Sequence, residues 1–315
     1  MGKASRAKQA PDRRARIAAQ RAAERRRQQL NRVFIAVGSI FAVVVVVVVV
    51  VLFGVNHKPS SKVPTPPTGA ALTSVINNVT SVPASAMNKV GSGGSAVNGG
   101  SSPIEPLKNG SPLTSGGKPE MLYMGAEYCP YCAAERWAMI VALSRFGTFS
   151  GLATTHSAAQ DGAGNAEPNP NTPTWTFAHA KYTSKYLTFT PVEMFTNKPD
   201  SSNGGYTTLQ KPTSAETALM NKWDAPPYVP QGDNGSFPFV DFGNKYGIFG
   251  ASYDGNVLDG KSWATIATAL KNPSSPIAQR VDGTANYITA AICKMTGNQP
   301  ASACTPAVKS LESKL

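Results

Sequence analysis

The longest apolar run of the chain lies close to its N-terminus. Residues 33–55 carry no charged side chain and include an unbroken series of valines at positions 43–51. At about 1.5 Å per residue this run is about 34 Å long, enough to cross a hydrocarbon core of about 30 Å. Residues 52–57 contain no small-x-small site of the kind that follows a cleavable signal peptide. The pattern therefore predicts one uncleaved transmembrane helix.

Positive charge is concentrated on the N-terminal side of this run. The formal net charge of the protein is +12, and residues 1–32 hold eleven basic residues against Asp12 and Glu24. Loops rich in Lys and Arg stay in the cytoplasm, so we expect a single-pass cell-membrane protein with a cytoplasmic tail and an extracytoplasmic C-terminal part. The tail either binds anionic lipid or RNA or, as we favour, serves only as an orientation signal with a solvated charged face. Because the charge is not spread over a folded surface, no nucleic-acid binding is expected.

Beyond the membrane segment, a polar spacer leads into a short helix and a long loop. Four prolines within residues 56–68 predict an extended spacer. In the next region, residues 69–118, apolar positions recur at helical spacing from 72 to 82 and a proline follows, which predicts a docking helix. Gly, Ser and Pro dominate residues 91–118, so we expect a loop there with one edge strand near residues 104–107.

The pattern of residues 119–271 predicts a mixed α/β domain, followed by a helical C-terminal extension over residues 272–315. Short apolar runs bounded by Gly or Pro predict strands, and longer runs with helical spacing predict helices. The expected strands are 121–124, 174–178, 186–190, 237–242 and 246–249, and the expected helices are 133–147, 214–222 and 261–270. The long segment between the first of these helices and the strand at 237 predicts an insertion over about residues 150–230.

Two cysteines lie where the first buried strand turns into the first helix of this domain. Cys129 and Cys132 are separated by a Pro-Tyr pair. Free N–H groups and the dipole at a helix N-terminus stabilise a thiolate, so we expect the pKa of Cys129 to fall below its usual value of about 8.5. Cys132 follows one turn later, close enough to resolve a mixed disulfide. The spacing predicts a redox-active dithiol with Cys129 as the nucleophile and no separate cofactor.

Two other interpretations of this pair are a zinc half-site and a structural disulfide. Zinc needs four ligands, but ten residues separate Cys293 from Cys304 and no histidine has ligand spacing, so no metal is expected. A disulfide that closes so short a loop stabilises little. For Cys293 and Cys304 themselves we favour a structural disulfide, the usual state outside the cytoplasm. A second redox pair that relays electrons to Cys129 and Cys132 is the alternative.

The cysteine segment resembles a known superfamily. Residues 125–137, GAEYCPYCAAERW, and the later Phe-Pro pair at 237–238 resemble the thioredoxin superfamily. More closely, the first segment and LSRFGTF at 143–149 resemble membrane-anchored thioredoxin-like proteins known only as a domain of unknown function (929). The resemblance implies an α/β, thioredoxin-like fold with an insertion between the first active-site helix and the cis-proline strand, preceded by one transmembrane helix.

The resemblance also assigns roles to residues around the cysteines. It implies that Pro238 is the cis-proline facing the catalytic pair, and that the backbone of Phe237 pairs with an extended substrate segment by strand addition. Tyr128 stands where thioredoxins usually carry Trp, and Tyr131 belongs to a Pro-Tyr dipeptide of glutaredoxin type. Both tyrosines are therefore further candidates for substrate binding.

Charged residues also lie close to the pair in the sequence. A carboxylate of Glu127 or Glu135 is a candidate proton acceptor for Cys132, and Arg136 is a candidate for favouring the thiolate. The alternative, which we favour, is that these side chains form a solvated helix face.

Together these features predict a membrane-anchored, extracytoplasmic thiol–disulfide oxidoreductase acting on protein cysteines. Its expected partners are exported cysteine-containing proteins and a membrane redox partner. Whether it oxidises or reduces is not determined by the CPYC motif. The alternative is a non-catalytic cell-envelope adaptor in which the disulfides only hold a thioredoxin-like scaffold together.

Overall fold

The computed structural model describes residues 62–315, and its main sheet has six strands of mixed direction. The predicted basic tail, the predicted transmembrane helix and residues 56–61 of the spacer lie outside the described residues. Within residues 62–315, none of the helices combines the length and the apolar character needed to cross a membrane. Residues 63–68 of the spacer form neither helix nor strand.

The described residues form seven α-helices and twelve strands. The helices are α1 (Gly69–Thr80), α2 (Ala84–Val90), α3 (Pro130–Leu143), α4 (Ser214–Trp223), α5 (Trp263–Ala269), α6 (Pro276–Met295) and α7 (Pro306–Glu312). The strands are β1 (Glu105–Pro106), β2 (Thr114–Ser115), β3 (Lys118–Gly125), β4 (Gly147–Ser150), β5 (Ala153–His156), β6 (Pro173–Thr176), β7 (Lys181–Ser184), β8 (Thr188–Glu193), β9 (Phe195–Asp200), β10 (Gly205–Thr208), β11 (Phe239–Phe242) and β12 (Tyr246–Phe249). The chain therefore has a mixed α/β fold.

Strand β3 is the centre of the sheet. Its apolar run is buried, as expected of a strand with neighbours on both sides. It pairs in parallel with β8 and antiparallel with β11, which continues into the antiparallel strand β12. In this register Gly125 lies opposite Glu193, and Met124 lies opposite Phe239. The carboxyl ends of β3 and β8 and the start of β11 therefore meet at one edge of the sheet.

Strand β8 lies inside the segment that the sequence predicts to be an insertion. The segment 150–230 is therefore not all insertion, because it supplies one strand of the central sheet, shifted from the expected 186–190. Pro191 makes this strand difficult to predict from the sequence, because proline has no backbone N–H to donate and is normally absent from strands that pair on both sides. The structure accommodates it because, among the described residues, β8 pairs only with β3. Three antiparallel pairs, β4 with β7, β5 with β6 and β9 with β10, form the remainder of the elaboration.

Helices α3 and α6 pack together and share one hydrophobic core with the sheet. Every residue of α3 except Tyr131 is buried, so this helix is covered on all sides. The C-terminal helices α6 and α7 contribute Ile288, Ile292 and Val308 to the same core. The extension after residue 271 is thus an integral part of this core.

Candidate functional site

The dithiol turn follows directly after the carboxyl end of β3. Cys129 is the N-cap of α3, and Pro130 takes the first helical position, where its missing N–H is not needed. The Cys132 N–H donates to Cys129 Sγ at 3.2 Å, and the Cys129 N–H donates to the Ala126 carbonyl at 3.3 Å. The helix N-terminus therefore offers a backbone donor to the first sulfur.

A second segment of chain meets the cysteines at the same edge of the sheet. The Phe237–Pro238 peptide bond is cis, and Cys129 Sγ lies 3.7 Å from the Phe237 carbonyl oxygen. Both cysteines are free thiols, with relative exposures of 4% for Cys129 and 0% for Cys132. Cys129 is therefore the sulfur that a partner molecule reaches first.

Aromatic side chains surround the entrance to Cys129. We call Tyr128, Phe195, Tyr206 and Phe237 the aromatic collar. Tyr128 stacks on Tyr206 with ring centroids 3.9 Å apart, while Phe195 lies 6.2 Å from Tyr128 and 6.5 Å from Phe237. A pocket of about 200 Å³ opens beside Tyr128, Phe195 and Tyr206. Of the predicted substrate-binding residues, Tyr128 and Phe237 lie in the collar, whereas Tyr131 is exposed on the first turn of α3.

A buried ion pair lies behind the cysteines. Arg136 donates through Nε to Glu193 Oε1 at 2.8 Å and through Nη2 to Glu193 Oε2 at 2.6 Å. Nη2 also donates to the Ala126 carbonyl at 2.6 Å. The pair joins α3 to the ends of β3 and β8. Both side chains are fully buried, so the interpretation of Arg136 as part of a solvated helix face is wrong.

Glu135 is also buried, and it points to a different partner. Its carboxylate accepts hydrogen bonds from the Ser252 N–H and hydroxyl, each at 3.0 Å. Burial raises the pKa of Glu135 to about 7, against the effect of these hydrogen bonds. The solvated-face interpretation is therefore wrong for Glu135 as well. The covering segment around Ser252 comes from a distant part of the chain, which is why the helical pattern alone misses it.

The environment acts in opposite directions on the two thiols. Burial raises the pKa of Cys129, and the hydrogen bond to Cys132 adds to the rise. Burial also raises the pKa of Cys132, but the hydrogen bond from Cys129 and the positive charge of Arg136 outweigh it, so the net change is a fall. The prediction that the pKa of Cys129 falls is therefore wrong: removal of this thiol from water raises its pKa.

Comparison with known families identifies a match over most of the described region. Residues 107–294 match the family model described as Domain of unknown function (DUF929). The chain belongs to this family. No curated protein and no solved structure matches the chain. The DUF929 region contains both cysteines of the dithiol turn, Pro238 and the aromatic collar.

Four further residues of the DUF929 region belong to this site but escape sequence reasoning. Tyr123 and Glu193 lie on adjacent strands whose pairing is not evident from sequence. Phe195 and Tyr206 lie on the β9–β10 hairpin. A sequence signal for that hairpin exists, because the Asn-Gly pair at 203–204 is typical of tight turns.

The other two cysteines lie at the C-terminal boundary of the DUF929 region. Cys293 on α6 and Cys304 before α7 form a disulfide with a Cα–Cα distance of 5.7 Å. Cys293 lies inside the family match and Cys304 outside it. In residues 62–315, no group of three or more His, Cys, Asp or Glu side chains is arranged to hold a metal ion.

Proposed function

We propose that this protein is a membrane-anchored thiol–disulfide oxidoreductase that acts outside the cytoplasm on the cysteines of exported proteins. One observation carries the proposal: the Cys129 sulfur accepts a backbone N–H of α3 at 3.2 Å and faces the carbonyl that precedes Pro238 at 3.7 Å. The backbone segment before Pro238 is suited to pair with an extended substrate segment, and a sulfur at a helix N-terminus is suited to attack the disulfide of that substrate.

The sheet topology supports a thioredoxin-like fold. A parallel β3–α3–β8 unit is followed by α4 and by the antiparallel β11–β12 hairpin, in the spatial order β8, β3, β11, β12. This order places the start of α3 beside the segment before β11. The β4–β7, β5–β6 and β9–β10 pairs are additions to that core.

The reaction follows from the positions of the two sulfurs. The Cys129 thiolate attacks one sulfur of a substrate disulfide, forming a mixed disulfide and releasing the other substrate sulfur as a thiolate. The Cys132 thiolate then attacks Cys129, which releases the second substrate sulfur and leaves a Cys129–Cys132 disulfide. Two electrons pass from the dithiol to the substrate. The reverse sequence oxidises a substrate dithiol, and a membrane redox partner then takes up the two electrons.

The N-terminal residues supply the location in this proposal. We propose that residues 33–55, predicted from the sequence to span the membrane, anchor the protein, and that the basic tail at 1–32 stays in the cytoplasm, where it contacts anionic lipid. The proline-rich spacer holds the domain away from the bilayer. In this location the domain can bind exported cysteine-containing proteins.

An equilibrium redox titration of the full chain in detergent tests this proposal. The protein is equilibrated with glutathione buffers for the oxidising range and dithiothreitol buffers for the reducing range, alkylated, and analysed by mass spectrometry, which separates Cys129–Cys132 from Cys293–Cys304. A potential near about −120 mV indicates a disulfide donor, and one near about −270 mV a reductase. A Cys132→Ser variant should trap mixed disulfides with cysteine-containing proteins, whereas Cys129→Ser, the matched control, should trap none.

The low exposure of Cys129, 4%, favours a second candidate function. In a non-catalytic adaptor the aromatic collar binds a partner and the cysteines only stabilise the scaffold. That function requires a Cys129–Cys132 pair that does not exchange with dithiothreitol and that traps no mixed disulfide in the Cys132→Ser variant. The same titration therefore separates the two functions.

A further inference from the structure

A cluster of buried polar groups lies directly behind Cys132. The side chains of Cys132, Tyr123, Arg136 and Glu193 are all fully buried. A Cβ built on Gly125 would lie 3.0 Å from Cys132 Sγ and 2.2 Å from Tyr123 Oη, so the absent side chain of this glycine lets both atoms approach. The Arg136 guanidinium carbon lies 5.8 Å from the centre of the Tyr123 ring. The sulfur, the phenol and the guanidinium therefore form one cluster.

This cluster contains donors without acceptors. Among the described residues, Tyr123 Oη and Arg136 Nη1 have no hydrogen-bond partner. Buried donors without partners cost free energy, and a buried cation costs more unless an anion lies close by. The sulfurs of Cys129 and Cys132 are the atoms beside this cluster that become anionic during thiol–disulfide exchange. Glu193 already balances the charge of Arg136, so what a thiolate at Cys132 adds is an anionic acceptor beside these two unpartnered donors.

The negative charge of Glu193 does not cancel the effect of Arg136 on the pKa of Cys132. Glu193 accepts from Arg136 and also from the Phe177 N–H at 3.2 Å, which fixes the carboxylate on β8. At Cys132 burial raises the pKa, the Cys129 hydrogen bond and Arg136 lower it, and Glu193 raises it least. The groups that face Cys132 are thus Cys129 and Arg136 from α3, Tyr123 from β3 and Glu193 from β8.

We propose that Arg136 is a positioning residue for the redox reaction: fixed by Glu193, its guanidinium stabilises one negative charge on the reduced cysteine pair. The inference rests on the proposed function and deepens it. The disulfide then accepts two electrons and one proton to give the Cys129 thiol and the Cys132 thiolate. Transfer of the remaining proton from Cys129 to Cys132 gives the Cys129 thiolate that attacks a substrate disulfide. Without the positive charge, the Cys129–Cys132 disulfide accepts two electrons and two protons to give two thiols. Stabilising the reduced form in this way makes the disulfide the stronger electron acceptor.

The proton count can be measured from the pH dependence of the reduction potential. With one proton per two electrons, the equilibrium constant changes tenfold per pH unit, which corresponds to about 30 mV. With two protons it changes hundredfold, which corresponds to about 59 mV. We expect the smaller slope for the full chain near neutral pH and the larger slope for Arg136→Met, which keeps the apolar stem but removes the charge.

Arg136→Met leaves Glu193 buried without its cation, and we expect this to destabilise the fold for a reason unrelated to redox chemistry. The double variant Arg136→Met/Glu193→Gln removes both charges, and circular dichroism checks its fold. It should also show the larger slope. Glu193→Gln alone keeps Arg136 and should retain the smaller slope. A folded double variant with the wild-type slope, or a wild-type slope of about 59 mV, overturns the inference.

A second measurement keeps this inference separate from the proposed function. The ultraviolet absorbance of the thiolate is titrated against pH in the reduced full chain, with Cys129→Ser/Cys132→Ser as the blank. We expect the thiolate of the wild type to persist to lower pH than that of the double charge variant, and equal titrations overturn the inference. If the thiolate behaves as expected but no protein substrate is trapped, the proposed function fails while the role of Arg136 stands.

Discussion

At the residue scale, burial of carboxylic acids shapes how this protein should respond to pH. Glu135 and Asp282 are both fully buried, and Asp282 has no hydrogen-bond partner among the described residues. Burial raises the pKa of Glu135 to about 7 and that of Asp282 to about 8. In an unfolded chain such groups release their protons near about pH 4. The folded state therefore holds protons more tightly, and stability falls as pH rises from about 4 through these raised pKa values.

Substituting Asp282 tests this linkage. Asp282→Asn keeps the shape of the side chain but cannot ionise. We expect the free energy of unfolding of the wild type to fall between about pH 5 and pH 8 by at least about 1 kcal/mol more than that of the variant. Urea unfolding of the full chain at a series of pH values provides the comparison. Asp233→Asn, at an exposed position, should follow the wild-type curve; identical pH profiles for wild type and Asp282→Asn would contradict the prediction.

At the element scale, the carboxyl end of β3 decides how closely the sheet approaches α3. Gly125 ends this strand at the point where Tyr123 and Cys132 meet. An added methyl group would come within 2.2 Å of Tyr123 Oη and 2.5 Å of its ring. Tyr123 and Cys132 are both fully buried, so neither side chain can move out toward solvent to make room. Glycine is therefore favoured at the end of this strand, because any larger residue would overlap Tyr123 and crowd Cys132 at the start of α3.

We expect Gly125→Ala to destabilise the fold by about 1–3 kcal/mol through overpacking. It should also shift the reduction potential of Cys129–Cys132, because Cys132 Sγ lies 3.0 Å from the new methyl group. Urea unfolding and redox titration of the full chain measure both effects. Gly255→Ala is the matched control, since its methyl group would meet only ordinary contacts at 3.5 Å or more. Equal effects of the two substitutions would show that the contact at β3 does not matter.

The disulfide between α6 and the segment before α7 also acts at the element scale. It closes a short loop between residues 293 and 304, a sequence separation of 11. Replacing both cysteines with alanine should cost about 2–3 kcal/mol of stability, mainly by freeing the unfolded chain. We expect the Cys129–Cys132 potential to stay unchanged, as a structural role requires. A slower oxidation or reduction of that pair in the variant would instead indicate an electron relay.

At the scale of the whole molecule, the sheet assembles the site from distant segments. The parallel pairing of β3 and β8 places Glu193 beside Gly125, and the antiparallel pairing of β11 places Pro238 near the dithiol turn. The β9–β10 hairpin then adds Phe195 and Tyr206 to the aromatic collar. These residues come together because their strands pair. The sequence gives little local sign of that pairing for β8, since this edge strand contains Pro191.

Features that depend only on neighbouring residues can be predicted from the amino-acid sequence. The helix start at Cys129 and Pro130, the strand at β3, the hairpin of β11 and β12 and the helix α4 all follow from local patterns of apolar, capping and turn residues. The CxxC spacing likewise points to a dithiol, because the chemistry needs sulfurs one helical turn apart. Each of these features is specified by the few residues on either side of its position.

The surroundings of the two sulfurs, in contrast, depend on the packing of segments that are distant in the sequence. Arg136 and Glu135 have the sequence pattern of a solvated helix face, but α6, β8 and the segment around Ser252 cover α3 on every side. Burial by distant segments removes these groups from water, and this sets their pKa values and their partners. Local sequence cannot specify it, because the dielectric environment of a side chain is a property of the packed molecule.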